Sequence, residues 1–241
     1  MGTLLYILYV IYFIAVALPI IIATTILAAI ITIIILCFAG DKRWTYYPGL
    51  IWARVICLFS LVRIQVNGQE NYDSNKSYIF LCNHQSIYDV FVVYGWLNSR
   101  FKWIMKQELR KIPFVGAACE AAGHIFIDRE NAIKSSRSMI EAEQKLKHGA
   151  SIVMFPEGHR TRTGKLQTFK RGAFFIASDL HFPIVPITIK GAFEVMSPQS
   201  PLIHPGKIEV TIHKPIDTAG LSHDNIHSFS KEVWNTINSA L

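Results

Sequence analysis

The chain has 241 residues, a formal net charge of +7, and 51% hydrophobic residues. This length suits one sizeable domain with its own core plus an accessory segment. The positive charge would fit nucleic-acid binding in a soluble protein, but the sequence carries no nucleic-acid-binding motif, so we expect no nucleic-acid partner.

The N-terminal segment, residues 1–40, contains no Asp, Glu, Lys or Arg. Its apolar run is too long for a secretory signal peptide and has no basic start. One straight helix of this length would reach roughly 55 Å, well beyond the roughly 30 Å hydrocarbon core of a bilayer. Because Pro19 offers a break, we predict two membrane-anchoring helices, about Leu4–Leu18 and Ile20–Phe38, arranged as a hairpin or as a wedge in one leaflet. A single kinked span is the alternative.

Residues 41–66 are predicted to lie at the membrane surface. Aromatic and basic side chains beside a membrane segment are typical of the lipid headgroup level, and this stretch carries Trp44, Tyr46, Tyr47, Trp52, Arg54 and Arg63. We expect an interfacial helix at about Pro48–Leu61. The basic flank predicts that the rest of the chain lies on the cytoplasmic face of the membrane.

Residues 67–241 are predicted to form the main domain, although the alternating pattern begins slightly earlier. The predicted strands are Val62–Val66, Tyr78–Leu81, Lys102–Met105, His124–Ile127, Ser151–Phe155, Ile184–Ile189 and Lys207–Ile212. The predicted helices are Ile87–Trp96, Phe114–Ala122, Asn131–Lys147, Gly172–Ser178 and His223–Ala240. Such alternation indicates an α/β domain with a mainly parallel sheet flanked by helices.

The four cysteines indicate neither a zinc framework nor a disulfide scaffold. They are dispersed, and no C-x-x-C pair occurs. We interpret Cys37, Cys57, Cys82 and Cys119 as small apolar side chains.

A first polar cluster, Asn83–Asp89, follows an apolar strand. Functional groups collect beyond the carboxyl ends of strands in parallel sheets. Ser86 and Asp89 fit a capping box at the start of the next helix, which is a structural explanation for both. His84 precedes the cap and is not explained in that way. A carboxylate that accepts from one imidazole nitrogen fixes the tautomer and leaves the other nitrogen as a base.

A second polar cluster follows the strand that ends at Phe155 and reads PEGHRTRTG. Glycine allows the backbone to approach a ligand closely, and the planar fork of arginine suits phosphate. This pattern favours Arg160 as an anion ligand. Lys165, Lys170 and Arg171 are better explained as solvated surface residues, and Arg162 is open between the two interpretations.

These clusters resemble blocks of the lysophospholipid acyltransferase family. Asn83–Asp89 fits its N-H-x-S-x-x-D block, Gly123–Arg129 resembles its second block, Phe155–Arg160 its F-P-E-G-T-R block, and Ile184–Ile187 its fourth block. The segment Trp103–Gly116 is similar to the family's segment between the first two blocks. The chain is identified as a member by this ordered match, with bacterial-type 1-acyl-sn-glycerol-3-phosphate acyltransferases as the most similar subgroup. His159 departs from the pattern, because the family usually has Thr there.

The resemblance implies an acyltransferase that makes phosphatidic acid from lysophosphatidic acid. It assigns His84 as the general base and Asp89 as its orienting carboxylate. It implies phosphate binding by Arg160, Lys106 and Arg129. Asn83, Ser86, Glu157 and Gly158 would support the site. The acyl donor would be acyl-CoA or acyl-carrier protein, with no cofactor and no metal.

Four alternatives remain open from the sequence. The acceptor could be glycerol 3-phosphate, another lysophospholipid or a lyso-aminolipid. A Ser-His lipid hydrolase would use Ser86, although no G-x-S-x-G elbow surrounds it. A metal hydrolase would use His84, Asp89, His124 and His159, although no standard metal-binding motif is present. The last alternative is a membrane-binding protein without catalytic activity.

Overall fold

The structure is a computed structural model that describes residues 2–38, 44–128 and 150–241, with positions 140 and 144. Two predictions fall outside this part of the chain: Arg129 and nearly all of the helix Asn131–Lys147.

The N-terminal segment forms one helix, α1, over Thr3–Phe38. The two predicted helices are therefore continuous, and the predicted break at Pro19 is wrong. A π-helical turn at Phe13–Ala17 ends two residues before the proline. Because proline has no amide hydrogen to donate, a local change of helical pitch lets the helix continue through it. Helix α1 is long and apolar enough to cross a membrane, and most of its surface is exposed.

Helix α2, Tyr46–Phe59, lies where the interfacial helix was predicted. Ala53 and Ile56 are buried in the core, so one side of α2 belongs to the folded domain. Ile51 and Leu58 on the other side are 60% and 67% exposed. The Trp52 indole Nε1 donates a hydrogen bond of 2.8 Å to Thr25 Oγ1 and so joins α2 to α1. Contact of the exposed side with lipid stays a prediction.

Within the described residues, seven strands form one sheet in the order β1-β7-β6-β2-β5-β3-β4. Their bounds are β1 Val62–Asn67, β2 Ile79–Cys82, β3 Phe101–Lys106, β4 Ile125–Ile127, β5 Ser151–Met154, β6 Ile184–Lys190 and β7 Gly206–Ile212. All neighbouring strands are parallel except β6 and β7. The predicted α/β fold with a mainly parallel sheet is confirmed. Since β1 pairs with β7 along its whole length, the predicted boundary between residues 66 and 67 falls inside a strand.

Helices cover both faces of the sheet. Within residues 44–128 and 150–241, the α-helices that follow α2 are α3 Tyr88–Trp96, α4 Val115–Ala121, α5 Gly172–Leu180, α6 Ala192–Val195 and α7 Ile226–Asn238. Strand β2 is buried on both faces, because Phe80 packs in the core beneath α2 and α3 while Ile79 and Leu81 pack in the core beneath α5 and α7. A continuous apolar run is what a central parallel strand requires.

The sheet order places the polar clusters on one edge. β2, β5, β3 and β4 are consecutive and parallel. Their carboxyl ends therefore meet at the same edge, where α/β proteins bind ligands. Asn83–Asp89 follows β2, and the loop that starts at Phe155 follows β5 directly beside it.

Candidate active site

His84 and Asp89 are in direct contact. The His84 Nδ1 atom lies 2.8 Å from Asp89 Oδ2. Asp89 is in the first turn of α3, and His84 is in the turn between β2 and that helix. The turn folds back so that two side chains five positions apart meet, as the sequence interpretation requires.

The turn also supplies Asp89 with backbone donors. Oδ2 accepts hydrogen bonds from the amide groups of Gln85 at 2.6 Å and Ser86 at 2.8 Å. Asp89 has no solvent exposure, so these donors compensate for the burial of its charge. The Ser86 amide bond is the backward arm of the predicted capping box. Because an ionised carboxylate can only accept hydrogen bonds, we assign the proton of this pair to His84 Nδ1.

The imidazole is fixed from one side by an aromatic ring. The His84 and Phe155 rings stack with 3.8 Å between centroids and 6° between planes. Phe155 in turn packs on Trp103, at 5.3 Å between ring centroids. The His84 side chain keeps 15% exposure. In the described part of the chain its Nε2 atom has no hydrogen-bond partner, so this nitrogen is free to accept a proton.

The second cluster holds the backbone of His84 on both sides. Glu157 Oε1 accepts a hydrogen bond of 2.6 Å from the His84 amide nitrogen. The Thr161 amide donates one of 2.9 Å to the His84 carbonyl oxygen. The Gln85 side chain adds a bond of 2.9 Å from Nε2 to the Gly164 carbonyl. The two clusters therefore form a single site.

Glu157 is a buried carboxyl group whose pKa is raised to about 7, chiefly because burial disfavours its charged form. Hydrogen bonds from His84 and Gln167 lower this pKa, and the negative charge of Asp89 raises it. Glu157 Oε2 accepts two bonds from Gln167, from its amide nitrogen at 2.9 Å and its side-chain Nε2 at 3.0 Å. With donors on both oxygens, the ionised form has the better hydrogen bonds in this site.

Asn83 braces the strand end. Its Nδ2 donates to the Ile189 carbonyl at 2.8 Å, and its Oδ1 accepts from the Ile189 amide at 2.7 Å. The buried side chain thus continues the pairing of β2 with β6 beyond the last residue of the strand. These contacts give Asn83 a structural role at the strand end, and its support of the active site stays a prediction.

Ser86 is buried and committed to other contacts. Its hydroxyl donates a hydrogen bond of 2.6 Å to the Met196 carbonyl and accepts one of 3.3 Å from the Tyr88 amide. The hydroxyl therefore supports the turn, and no bond joins it to His84 among the described residues. This arrangement disfavours Ser86 as a nucleophile.

Two of the three predicted phosphate ligands, Arg160 and Lys106, are among the described residues, and their surroundings differ. Arg160 is exposed in the loop after β5, three residues beyond Glu157. Lys106 is the last residue of β3, and its Nζ forms an ion pair of 2.7 Å with Glu108 Oε1. Arg129 lies outside the described residues. Lys106 therefore ends β3, and Arg160 lies in the loop that follows the neighbouring strand β5.

Gly158 has a backbone conformation that favours glycine, with φ of 82°. A Cβ atom built there would meet the Lys170 side chain at 2.8 Å from its Cε atom. Gly158 therefore permits the turn that follows Glu157 and the close passage of Lys170.

A metal hydrolase is not supported by the arrangement of the histidines. His124 is buried, accepts a hydrogen bond from the Trp103 amide at Nδ1 (3.2 Å) and has its Nε2 3.2 Å from the Tyr94 hydroxyl. His159 is exposed in the loop after β5. Over residues 2–38, 44–128 and 150–241, no group of three or more His, Cys, Asp or Glu side chains could hold a metal ion.

Sequence reasoning missed Gln167, Thr161 and Trp234. Gln167 reaches Glu157 through two donors, and the Trp234 indole donates to the Gln167 carbonyl at 3.0 Å. Gln167 and Trp234 lie outside both polar clusters, and Thr161, although it belongs to the second cluster, was assigned no role there. Their contacts pass through backbone groups or depend on the packing of a distant helix, which single-sequence patterns do not report.

Comparison with known proteins shows which family the chain resembles. The family model described as Acyltransferase matches residues 63–190, a range that contains both polar clusters. The chain is similar to a chloroplastic 1-acyl-sn-glycerol-3-phosphate acyltransferase of Arabidopsis thaliana, with 32% identity over 73% of this chain and 49% of that protein. It is 32% identical to the human 1-acyl-sn-glycerol-3-phosphate acyltransferase alpha, over 73% of this chain and 62% of the relative. The chain thus spans about half to three fifths of these relatives.

A solved structure shares the fold. The crystal structure of the 1-acyl-sn-glycerophosphate (LPA) acyltransferase of Thermotoga maritima matches with a TM-score of 0.83. The match covers 100% of this chain and 96% of that one, at 24% sequence identity. Because the family model extends over more than half of the 241 residues, this chain belongs to the acyltransferase family.

Proposed function

We propose that this protein transfers a fatty acyl group from a thioester donor to the sn-2 hydroxyl of 1-acylglycerol 3-phosphate, which gives phosphatidic acid. The donor is acyl-CoA or acyl-carrier protein. The names of the similar proteins support this acceptor. The observation that carries the proposal is the His84–Asp89 pair, in which Asp89 contacts Nδ1 at 2.8 Å while Nε2 has no hydrogen-bond partner among the described residues and the side chain keeps 15% exposure.

The chemistry requires a base because an alcohol is a poor nucleophile at neutral pH. His84 Nε2 takes the proton of the acceptor hydroxyl as its oxygen attacks the thioester carbonyl. The tetrahedral intermediate collapses, the carbon–sulfur bond breaks, and the leaving thiolate takes the proton from the imidazolium. Every atom comes from the two substrates, so the reaction needs neither a cofactor nor an acyl-enzyme.

Asp89 stabilises the imidazolium that forms during the attack. Its carboxylate already receives Nδ1–H and two backbone amides at one oxygen. The site therefore needs no rearrangement when the positive charge develops next to it.

We assign the acceptor phosphate to Arg160 first, with Lys106 and Arg129 as further cations. Arg160 is exposed and close in sequence to Glu157, which holds the His84 backbone. The Lys106 ammonium forms an ion pair with Glu108. For Lys106 to bind phosphate, the phosphate must replace the Glu108 carboxylate as its partner.

The apolar surface of α1 supports association with a membrane. Large side chains such as Leu4 and Ile11 are 71% and 58% exposed, which is costly in water. We propose that α1 holds the domain at the bilayer, with the sheet edge on the cytoplasmic side. The lysolipid then reaches the site without moving its acyl chain through water.

An acceptor panel tests the proposal. Purified protein in mixed micelles is given acyl-CoA with 1-acylglycerol 3-phosphate, glycerol 3-phosphate, lysophosphatidylcholine, a lyso-aminolipid or monoacylglycerol. We expect the highest kcat/KM with 1-acylglycerol 3-phosphate and a diacylated product. A preference for another acceptor would replace the proposed substrate, and release of free fatty acid without transfer would support a hydrolase instead.

A further inference from the structure

The loop after β5 contains a residue outside both polar clusters that contacts the carboxyl group of Glu157. Gln167 donates two hydrogen bonds to Glu157 Oε2 and a third, of 3.1 Å, from Nε2 to the His159 carbonyl. A single side chain thus joins the start of the loop to its later part. The other Glu157 oxygen receives the His84 amide at 2.6 Å.

The C-terminal helix fixes Gln167 from the opposite direction. Trp234, in α7, donates from its indole Nε1 to the Gln167 carbonyl oxygen at 3.0 Å. Helix α7 is anchored by the buried side chains of Val233 and Ile237. A continuous series of hydrogen bonds therefore leads from α7 through Gln167 and Glu157 to the backbone of His84.

We propose that Gln167, braced by Trp234, is a positioning residue that fixes Glu157 and thereby sets the place of the His84 imidazole. This proposal rests on the proposed function, since it concerns the same base. Neither residue touches the reacting atoms. Their effect passes through the Glu157 carboxylate, which needs donors on both oxygens to hold its orientation in a buried site.

The charge state of Glu157 gives this arrangement a measurable signature. The side-chain hydrogen bond from Gln167 lowers the pKa of Glu157, while burial and the charge of Asp89 raise it. A further charged side chain beside this turn, among the described residues, is Lys170, whose Nζ lies 2.9 Å from the position of a Cβ atom built at Gly158. Loss of the Gln167 donor raises the pKa of Glu157 further, so the ionised form appears only at higher pH.

The test compares Gln167→Met, which keeps the length of the side chain and removes its donor, with Gln65→Met as a matched control. Gln65 is an exposed residue of β1. We expect Gln167→Met to lower kcat roughly tenfold, as for loss of one hydrogen bond to a charged group, with little change in KM. The acidic limb of its pH–rate profile should move to higher pH. Trp234→Phe should also lower kcat and move the acidic limb of the pH–rate profile to higher pH, each by a smaller amount.

Hydrogen exchange provides a readout that does not depend on activity. The amide of His84 should exchange faster in Gln167→Met than in the unchanged protein, because its acceptor is less well held. Unchanged exchange of that amide would overturn the positioning role. A lower kcat with an unmoved pH profile would also overturn it, since that pattern marks a general loss of folded enzyme. If the unchanged protein transfers no acyl group, the proposed function fails while the exchange experiment still decides the inference.

Discussion

The His84 amide nitrogen and Glu157 Oε1 are joined by a hydrogen bond of 2.6 Å between residues 73 positions apart. This contact explains why two polar clusters occur in one sequence. The first cluster carries the base and its carboxylate, and the second holds the backbone on which the base is mounted. Positioning of this kind matters because misplacement by about 1 Å can cost about a hundredfold in rate.

Glu157→Gln is predicted to change how stability depends on pH. Burial raises the pKa of Glu157 from its usual 4.5 to about 7, so between these values the folded protein binds more protons than the unfolded chain. Its contribution to stability is therefore lost as the pH rises from about 4.5 to 7 and is constant above that. The shift corresponds to about 3 kcal/mol in total.

Thermal unfolding in detergent at pH 5, 6, 7 and 8 measures this effect. Glutamine does not titrate. The free energy of unfolding of the unchanged protein, relative to that of Glu157→Gln, should therefore fall from pH 5 to pH 7. Glu70→Gln, at an exposed position, is the control. A difference that stays constant over the range would contradict the assigned pKa.

Asp89→Asn is predicted to remove most activity while the fold persists. The amide oxygen can replace Oδ2 as acceptor for the two backbone groups, but it carries no charge to stabilise the imidazolium. We expect kcat to fall on the order of 10²–10⁴-fold. Asp89 Oδ1 is buried without a hydrogen-bond partner in the described residues, so the new amide group also costs about 1–3 kcal/mol of stability.

Acyl transfer and near-ultraviolet circular dichroism are measured on the same preparation of this variant. A native spectrum with a rate within a few fold of the unchanged protein would show that the Asp89 charge is not used in the reaction.

Ser86→Ala is predicted to spare turnover. Its hydroxyl supports the turn through the Met196 carbonyl, so its loss should lower stability by about 1 kcal/mol and the rate by no more than a few fold. Mass spectrometry of the quenched reaction should find no acylated serine. Near-total loss of activity together with a trapped acyl-serine would favour a Ser-His hydrolase.

Arg160→Ala is predicted to weaken binding of acceptors that carry a phosphate. Removal of a charge-assisted contact should raise KM for 1-acylglycerol 3-phosphate about tenfold or more. The effect on monoacylglycerol, which has no phosphate, should be small. Arg100→Ala, an exposed change directly before β3, serves as control. An equal loss with both acceptors would assign Arg160 a role other than phosphate binding.

Much of the fold is visible in the sequence because the main signals are local. The apolar runs of β2 and β5 identify central strands, and the polar residues that follow them mark the edge of a parallel sheet. The His84–Asp89 contact could be inferred because both residues belong to one short turn. The resemblance of the sequence blocks to a known family then indicated that the two polar clusters belong to one active site.

The features that the sequence did not reveal depend on contacts between distant parts of the chain or on small changes in backbone geometry. The π-helical turn at Phe13–Ala17 allows α1 to pass Pro19, and nothing in the apolar composition indicates it. The donors that Gln167 and Trp234 supply meet backbone and carboxylate atoms only after α7 has packed. The pairing of Lys106 with Glu108 likewise depends on the conformation after β3.

The most direct test of the account is the rate of acyl transfer by His84→Ala. Purified full-length protein in mixed micelles receives acyl-CoA and 1-acylglycerol 3-phosphate, and phosphatidic acid is measured over time. His227→Ala, an exposed change in α7, controls for purification and folding. We predict that His227→Ala matches the unchanged protein and that His84→Ala loses on the order of 10²–10⁴-fold in rate. Phosphatidic acid formed by His84→Ala at the rate of the control would contradict the account.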